Sequence, residues 1–324
     1  LLICFDAIYR CLGDANDDVS AEAAASLLPV NDILKETIPD KVPRLIKFLW
    51  EHIGNLDELT TSTSNIILLL ASLITSSSAQ LEPDELMTSI PKLWSLLSHS
   101  STNVRVSVLR ALIALIKPQK TSCLNWMPER LISTALCLIF QRSVLENMDE
   151  VRPLLLDVWL ELIRIDNDGA LAAEERFNLL RYTSQYLNYW LCLSLQPSSV
   201  PIDRSNPLWL NIRPDGSKCD VKPDGEVYVA SSTFNAETVE QQKAQTTRCR
   251  LLGTRLLGAL YATLVYNTGE SQHADETLKY LSDMFTHYLK TKSAHQRMIS
   301  GWAIESWARH HAQLSDCDSD KVKS

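Results

Sequence analysis

Glycine is scarce in this sequence, with nine residues in 324 against an average usage of roughly 7%. Glycine adopts positive φ more readily than any other residue, so a chain with few glycines has few places for the tight turns of β-hairpins. A fold rich in hairpins is therefore disfavoured. The hydrophobic share of 45% and the charged share of 22% are ordinary for a globular chain.

The short motifs of common enzyme and metal sites are also missing. There is no Gly-x-x-x-x-Gly-Lys-Ser/Thr phosphate loop and no Gly-x-Ser-x-Gly turn for a nucleophilic serine. Gly253 and Gly258 are five residues apart, but no lysine follows, and we interpret them as close-packing positions in a helix. The seven histidines lack metal-ligand spacing and are expected at the surface. We predict no catalytic, cofactor-binding or metal site in this chain.

Paired cysteines are absent as well. The eight cysteines are scattered and none forms a Cys-x-x-Cys pair. Cys137 and Cys192 lie inside apolar helical stretches, where a free cysteine acts as a small hydrophobic residue, so a reducing compartment is favoured. No signal peptide is visible. The chain begins at Leu1 within an apolar stretch, and we expect it to be a piece of a longer protein.

No basic stripe is present to follow a nucleic-acid backbone, so direct nucleic-acid binding is not expected. The net charge is −8, and residues 1–60 hold eleven acidic and five basic residues, a net −6. Two interpretations of this acidic end stay open: it faces a basic protein partner, or it is a solvated surface that keeps the protein soluble.

Long hydrophobic runs are missing too. Residues 59–81 carry no charge, but their apolar centre, Ile66 to Ile74, is nine residues long. A membrane-spanning helix needs about 20 predominantly apolar residues. We therefore predict a buried helix in this segment and no membrane association.

What the sequence does contain is a 3.6-residue hydrophobic period that is interrupted about every 40 residues. An acidic or amide residue before a small apolar one recurs ahead of Val19, Leu59, Val104 and Val151, at separations of 40, 45 and 47 residues. Asp, Asn and Ser at such places can accept hydrogen bonds from the free N–H groups of a helix start. The pattern predicts a second helix beginning at each of these points.

The fold class that follows is all-α: a HEAT-type α-solenoid of about six antiparallel helix pairs with one long loop insertion. Residues 1–195 form about four and a half pairs, 196–235 the insertion, 236–314 the remaining one and a half pairs, and 315–324 a polar tail expected to fray. The predicted helices are 1–13 with 17–37, 40–55 with 59–77, 83–99 with 102–117, 127–145 with 148–165, 174–195 with 236–267, and 273–290 with 294–313.

The insertion differs from the helical stretches in composition: it holds five of the thirteen prolines and two Pro-Asp-Gly turns. Val221 and Val227–Val229 could pair as a short hairpin. Trp209 stands in a polar context here, either as an anchor for a partner or folded back onto its own chain. Six other tryptophans lie on apolar stripes and are predicted to fill the core: Trp50, Trp94, Trp159, Trp190, Trp302 and Trp307.

Five acidic residues at two predicted helix starts are the main candidates for partner binding: Asp14, Asp17, Asp18, Asp57 and Glu58. They would either face a basic partner surface or only cap the helices that follow them. With Trp209, they make up the predicted partner-binding set.

A family resemblance rests on Tyr189-Trp190-Leu191-Cys192-Leu193, followed by Gln196-Pro197-Ser198 and Pro201-Ile202-Asp203. These residues resemble a stretch in the TATA-box-binding-protein-associated factor of the B-TFIID complex, a family of large Swi/Snf-type ATPases. The similarity covers nearly the whole chain except 204–240. Ser20 departs from many HEAT repeats, which have arginine there. Further matching runs are Leu12-Gly13-Asp14, Leu56-Asp57-Glu58-Leu59-Thr60, Arg255–Leu260 and Lys292–Arg297.

The resemblance implies that the chain is a central part of that family's N-terminal repeat arm. In the family, turns of the HEAT repeats grip the TATA-box-binding protein, and a C-terminal motor uses ATP to strip it from DNA. The expected role is therefore a nuclear scaffold in transcription regulation, without an ATPase site of its own. The alternative is a HEAT-repeat scaffold of a nuclear-transport or phosphatase complex.

Overall fold

The computed structural model describes residues 2–54, 63–77, 83–117, 127–164, 183–200, 202–212, 239–268 and 272–323. Over these ranges every regular element is a helix and no β-strand occurs. The all-α prediction is confirmed. The predicted hairpin at Val221 and Val227–Val229 lies outside the described residues. The described part of the insertion, 196–200 with 202–212, consists of turns and irregular chain.

The chain divides into two compact units, one of residues 1–126 with 210–231 and one of residues 127–209 with 232–324. In the first unit, α1 packs on α2, α4 on α5 and α6 on α7, and α2, α5 and α7 contact one another in succession. Stacking of pairs in chain order is the arrangement that the solenoid prediction requires. The helices of this unit are α1 (Leu2–Leu12), α2 (Asp17–Leu27), α3 (Asn31–Thr37), α4 (Val42–Gly54), α5 (Thr63–Ser77), α6 (Pro83–Leu96) and α7 (Thr102–Ile116).

The second helix of the first pair is interrupted, where the sequence predicted one helix over 17–37. A short 3₁₀ turn, Leu28–Val30, separates α2 from α3. Pro29 lies in this turn. Proline has no N–H to donate and its ring clashes with the preceding turn, so in a helix interior it kinks or breaks the helix.

The second unit contains α8 (Glu129–Ser143), α9 (Val151–Ile163), α10 (Ser184–Leu195), α11 (Val239–Thr268), α12 (Gln272–Leu289) and α13 (Ala294–Lys323). The long helix α11 contacts each of the other five. It approaches α13 closely at Gly258, where an added Cβ would lie 2.8 Å from the carbonyl oxygen of Ala303. The prediction that this glycine serves close packing is confirmed.

Large aromatic side chains fill the core of the second unit. Trp190 stacks on Phe140 and on Tyr186, with ring centroids 5.0 and 5.5 Å apart, and meets Trp159 edge-on at 5.8 Å. Across the described chain, Trp50, Trp94, Trp159 and Trp190 are buried as predicted, and Trp307 is half-buried.

The core prediction is wrong for Trp302, whose side chain is 45% exposed. The face of α13 that packs against α11 carries small residues, Ala303 and Ser306, because the two backbones approach so closely at Gly258. A large indole has no room on that face. Cys192 is likewise exposed and not buried in its apolar stretch.

Two further predictions concern long helices. Helix α13 continues as far as Lys323, and no glycine or proline occurs after Gly301 to end it. Fraying of the tail from 315 onward stays a prediction. Within the uncharged run 59–81, the described helix is α5, fifteen residues long. None of the helices described is both long and apolar enough to cross a membrane.

Candidate partner-binding turn

The turn between α1 and α2, residues 13–18, carries three of the predicted acidic residues and is called the acidic turn below. The backbone leaves α1 through hydrogen bonds from Gly13 N to Arg10 O and from Asp14 N to Cys11 O, at 3.1 and 3.2 Å. The carboxylate of Asp14 then accepts a hydrogen bond from the backbone N–H of Asn16, at 2.9 Å. Asp14 therefore shapes the turn, as short polar side chains often do.

The N-cap of α2 is Asn16, which has extended backbone angles and whose side-chain oxygen accepts from Asp18 N at 2.9 Å. An amide thus makes the capping bond that the sequence allowed the aspartates to make. Asp17 and Asp18 lie in the first turn of α2, where the helix dipole favours negative charge.

The three carboxylates differ in surroundings. Asp14 and Asp18 are exposed, and Asp17 is half-buried. No Lys or Arg lies among residues 11–34, and neither Asp14 nor Asp17 forms an ion pair with a described residue. The acidic turn therefore carries three carboxylates, with no Lys or Arg in the turn itself or in α2.

Below the acidic turn, a buried hydroxyl joins α1, α2 and α4. Ser20 Oγ donates to the carbonyl oxygen of Leu12 at 3.0 Å and lies 3.2 Å from His52 Nε2. Since the only hydroxyl proton goes to Leu12, His52 Nε2 carries the hydrogen and donates to Ser20. Burial lowers the pKa of His52, and the nearby carboxylate of Asp17 opposes this shift. The contact fixes the acidic turn relative to the next helix pair.

The third helix pair has an arginine at the corresponding position. Arg105, in the position corresponding to Ser20, is buried and donates to the carbonyl oxygens of His99 and Ser100 at 2.8 and 2.9 Å. Ser20 therefore replaces a long cation with a short hydroxyl. His99, predicted at the surface, is buried here because its Nδ1 accepts the backbone N–H of Ser101 at 3.0 Å.

The turn of the fourth pair has acids too, but basic side chains accompany them. Glu146 is paired with Arg142, and Asp149 forms an ion pair with Arg152. Compared with this turn, the acidic turn of the first pair has no Lys or Arg in its own sequence. Residues 13–18 are therefore a candidate surface for a positively charged partner.

The other predicted site residues are less informative. Asp57 and Glu58 lie outside the described residues. Trp209 is 8% exposed, which agrees with the second of the two interpretations, a side chain folded back onto its own chain. Among the residues described, no group of three His, Cys, Asp or Glu side chains could hold a metal ion.

Sequence reasoning missed Asn16 and His52, and a local sequence pattern could have identified only Asn16. Asn16 has the residue type of an N-cap directly before the first helical turn. The role of His52 depends on a contact across 32 positions in the chain, which no local pattern reports. A basic groove between α1 and α4, described below, was also missed.

Comparison with known proteins identifies the family. Residues 158–324, more than half of the chain, match the model described as a domain of unknown function, DUF3535. The human TATA-binding protein-associated factor 172 is 30% identical over 313 residues, which cover 93% of this chain and 16% of the human protein. The chain thus spans less than a fifth of this relative.

Plant and fungal proteins show the same similarity. The Arabidopsis thaliana TATA-binding protein-associated factor BTAF1 is 22% identical over 355 residues, 92% of this chain and 17% of that protein. The TATA-binding protein-associated factor mot1 of Aspergillus fumigatus is 30% identical over 207 residues, 60% of this chain and 10% of that protein. The chain therefore belongs to the DUF3535 family and to the family of TATA-binding protein-associated factors.

Proposed function

We propose that this chain is an interaction scaffold that helps to bind the TATA-box-binding protein in the nucleus. It would act within a transcription regulator that uses ATP to remove that protein from promoter DNA. The support is the name shared by its relatives, TATA-binding protein-associated factors, together with the negative charge of the acidic turn. The relatives are much longer than this chain, and the ATP-driven step is proposed for the complete protein.

The acidic turn is the proposed contact surface. Asp14 and Asp18 are exposed, and Asn16 makes the side-chain capping bond of α2. Opposite charges across an interface speed association and select the partner. Because Ser20 and His52 hold the turn against α4, its carboxylates are presented in a fixed arrangement, which lowers the ordering cost of binding.

Charge reversal tests this surface. In the complete protein, replacing Asp14, Asp17 and Asp18 by lysine should weaken binding of purified TATA-box-binding protein by about tenfold or more, since steering attraction becomes repulsion. The matched control reverses three exposed acids outside the turn, Glu22, Glu36 and Glu51, and should change affinity by less than about twofold. Isothermal titration calorimetry at two salt concentrations measures the affinity of each variant. The loss of affinity in the acidic-turn variant should be smaller at high salt, because salt screens the charges.

The same variants address the remaining acids and the alternative function. Unchanged binding after Asp57 and Glu58 are also reversed would remove the acidic-turn assignment. Pull-down from nuclear extract separates the partner classes: recovery of transport GTPase or phosphatase subunits, without the TATA-box-binding protein, would favour the alternative scaffold. Repeating the pull-down without residues 196–235 shows whether the insertion contributes.

We propose further that this 324-residue chain has no ATPase site of its own. The sequence contains no Gly-x-x-x-x-Gly-Lys-Ser/Thr phosphate loop. Purified chain should therefore release no phosphate from ATP above the buffer rate, measured by a coupled phosphate assay. Turnover that persists through repurification would overturn this part of the proposal.

A further inference from the structure

A groove on the first unit is lined mainly by basic and aromatic side chains, in contrast to the acidic turn. It lies between α1 and the start of α4, has a volume of about 350 Å³, and is called the α1–α4 groove. Its lining residues are Phe5, Asp6, Tyr9, Arg10, Lys41 and Arg44.

The apolar side of the groove is a row of rings. The centroids of Phe5 and Tyr9 are 5.9 Å apart, and Tyr9 lies 5.2 Å from Phe48 of α4. Phe48 in turn stacks on His52 at 5.9 Å. Phe5 is buried, while Tyr9 is half-buried and open to the groove. Rings packed against each other and against α4 form a fixed apolar floor.

The polar side is positively charged. Residues 1–60 contain five Lys and Arg in all, and three of them, Arg10, Lys41 and Arg44, line this one groove. None of the three forms an ion pair with a carboxylate in the described part of the chain. Arg44 has its Cζ 5.5 Å from the centroid of the Tyr9 ring, a cation–π distance. Lys35, by contrast, pairs with Asp32 at 3.1 Å.

From this arrangement we propose that the α1–α4 groove binds an acidic protein segment in which an apolar side chain lies between carboxylates. The apolar side chain would pack on Phe5 and Tyr9, and the carboxylates would pair with Arg10, Lys41 and Arg44. The Asp6 carboxylate, which also lines the groove, can accept a backbone N–H from the bound segment. Guanidinium groups suit this role because they bind carboxylates in a bidentate, planar geometry.

Charge favours a protein segment over a nucleic acid in this groove. Nucleic-acid binding requires basic side chains that follow the phosphate backbone over several nucleotides, whereas residues 1–60 carry a net −6. A volume of about 350 Å³ takes one or two side chains. The proposal goes beyond the function above, since a basic groove selects a different ligand surface from the one that meets the acidic turn.

The test uses a fluorescein-labelled dodecapeptide of Asp and Glu with one central Phe, titrated with the full 324-residue chain and followed by fluorescence anisotropy. The reversal Lys41→Glu with Arg44→Glu should weaken binding by about tenfold or more. The matched control, Lys35→Glu with Lys47→Glu, makes the same change in charge outside the groove and should alter affinity by less than about twofold.

Two further measurements test the role of the apolar floor: a peptide without the central Phe, and a variant without the Tyr9 ring. A dodecapeptide with Gly in place of Phe should bind about fivefold or more weakly, because the ring floor is then unused, and Tyr9→Leu should reduce this preference. If the reversal variant fails to fold, as judged by thermal unfolding, Lys41→Gln with Arg44→Gln replaces it. Equal losses in groove and control variants, or tighter binding of labelled oligothymidylate than of the peptide, would overturn the proposal.

Discussion

Replacing Glu146 by alanine should lower the free energy of unfolding by about 3–5 kcal/mol, because it removes one partner of a buried ion pair. The side chains of Arg142 and Glu146 are 4% and 0% exposed, and Arg142 Nε donates to Glu146 Oε2 at 2.8 Å. Glu146 Oε1 also accepts the backbone N–H of Met148 at 3.0 Å. The substitution therefore leaves the buried guanidinium of Arg142 without this carboxylate and the backbone N–H of Met148 without this acceptor.

An exposed ion pair provides the control for this prediction. Glu305 and Arg309 of α13 are paired with the same i, i+4 spacing, but their side chains are 46% and 56% exposed. Glu305→Ala should cost less than about 0.5 kcal/mol. Urea unfolding followed by circular dichroism measures the free energy of unfolding of both variants. The dependence of that free energy on urea concentration should be the same for each.

A double variant separates loss of the pair from loss of packing. Arg142→Met with Glu146→Leu removes both charges, and buried pairs replaced by apolar groups of similar size usually cost little. The double variant should therefore be more stable than Glu146→Ala alone. Equal destabilisation of the two, or a cost for Glu146→Ala no larger than that for Glu305→Ala, would contradict the importance given to this pair.

Replacing Gly258 by alanine should lower the free energy of unfolding by about 1–3 kcal/mol, as overpacking of a filled contact does. The new Cβ would lie 2.8 Å from the carbonyl oxygen of Ala303 and closer still to the Cβ of Ser306. Backbone cannot rotate away as a flexible side chain can, so α11 and α13 must separate. The hydrogen bond from Ser306 Oγ to Arg255 O, 2.9 Å long, would be strained by that movement.

Gly301, on α13, is the matched control and should respond in the opposite direction. It lies in a helix, and a Cβ added there meets no heavy atom within 4 Å. Alanine loses less backbone entropy on folding than glycine does, so Gly301→Ala should stabilise by about 0.5–1 kcal/mol. Thermal unfolding of the two variants measures whether each substitution raises or lowers stability. A change in the same direction for both variants would refute the close approach of α11 and α13.

The sequence was sufficient for most helices, because their apolar stripes are long and regular. Val104, Val108, Leu112 and Leu115 of α7 follow the helical period and are all buried. The first pair was less predictable: Val19, aligned by its pattern with Val104, is 38% exposed. A repeat pattern gives the positions of helix starts, but burial also depends on which neighbouring helix covers each side.

Trp302 shows a second limit of periodicity. The buried residues of α13 are Ile299, Ser300, Ala303 and Ser306, and only Ile299 of these is large and apolar. Hydrophobicity alone ranks Trp302 above Ala303 as a core residue. The order is reversed in the fold because close approach at Gly258 requires small side chains, and that approach joins positions distant in sequence.

At the candidate site, the sequence located the acidic residues but could not assign their roles. Composition showed an excess of negative charge, yet only the backbone geometry shows that Asn16 and not an aspartate caps α2. The contact between Ser20 and His52 depends on the packing of α2 with α4, and the ring row beside Tyr9 depends on the packing of α1 with α4. Such long-range contacts are invisible to local patterns.

Amide hydrogen exchange of the complete protein, with and without purified TATA-box-binding protein, tests the central claim most directly. Backbone amides in an exposed turn open readily, and a bound partner slows their exchange. The account predicts slower exchange in peptides covering residues 13–20 when the TATA-box-binding protein is added, and loss of this protection after lysine replaces Asp14, Asp17 and Asp18. Binding of that protein with no change in exchange over residues 13–20 would contradict it.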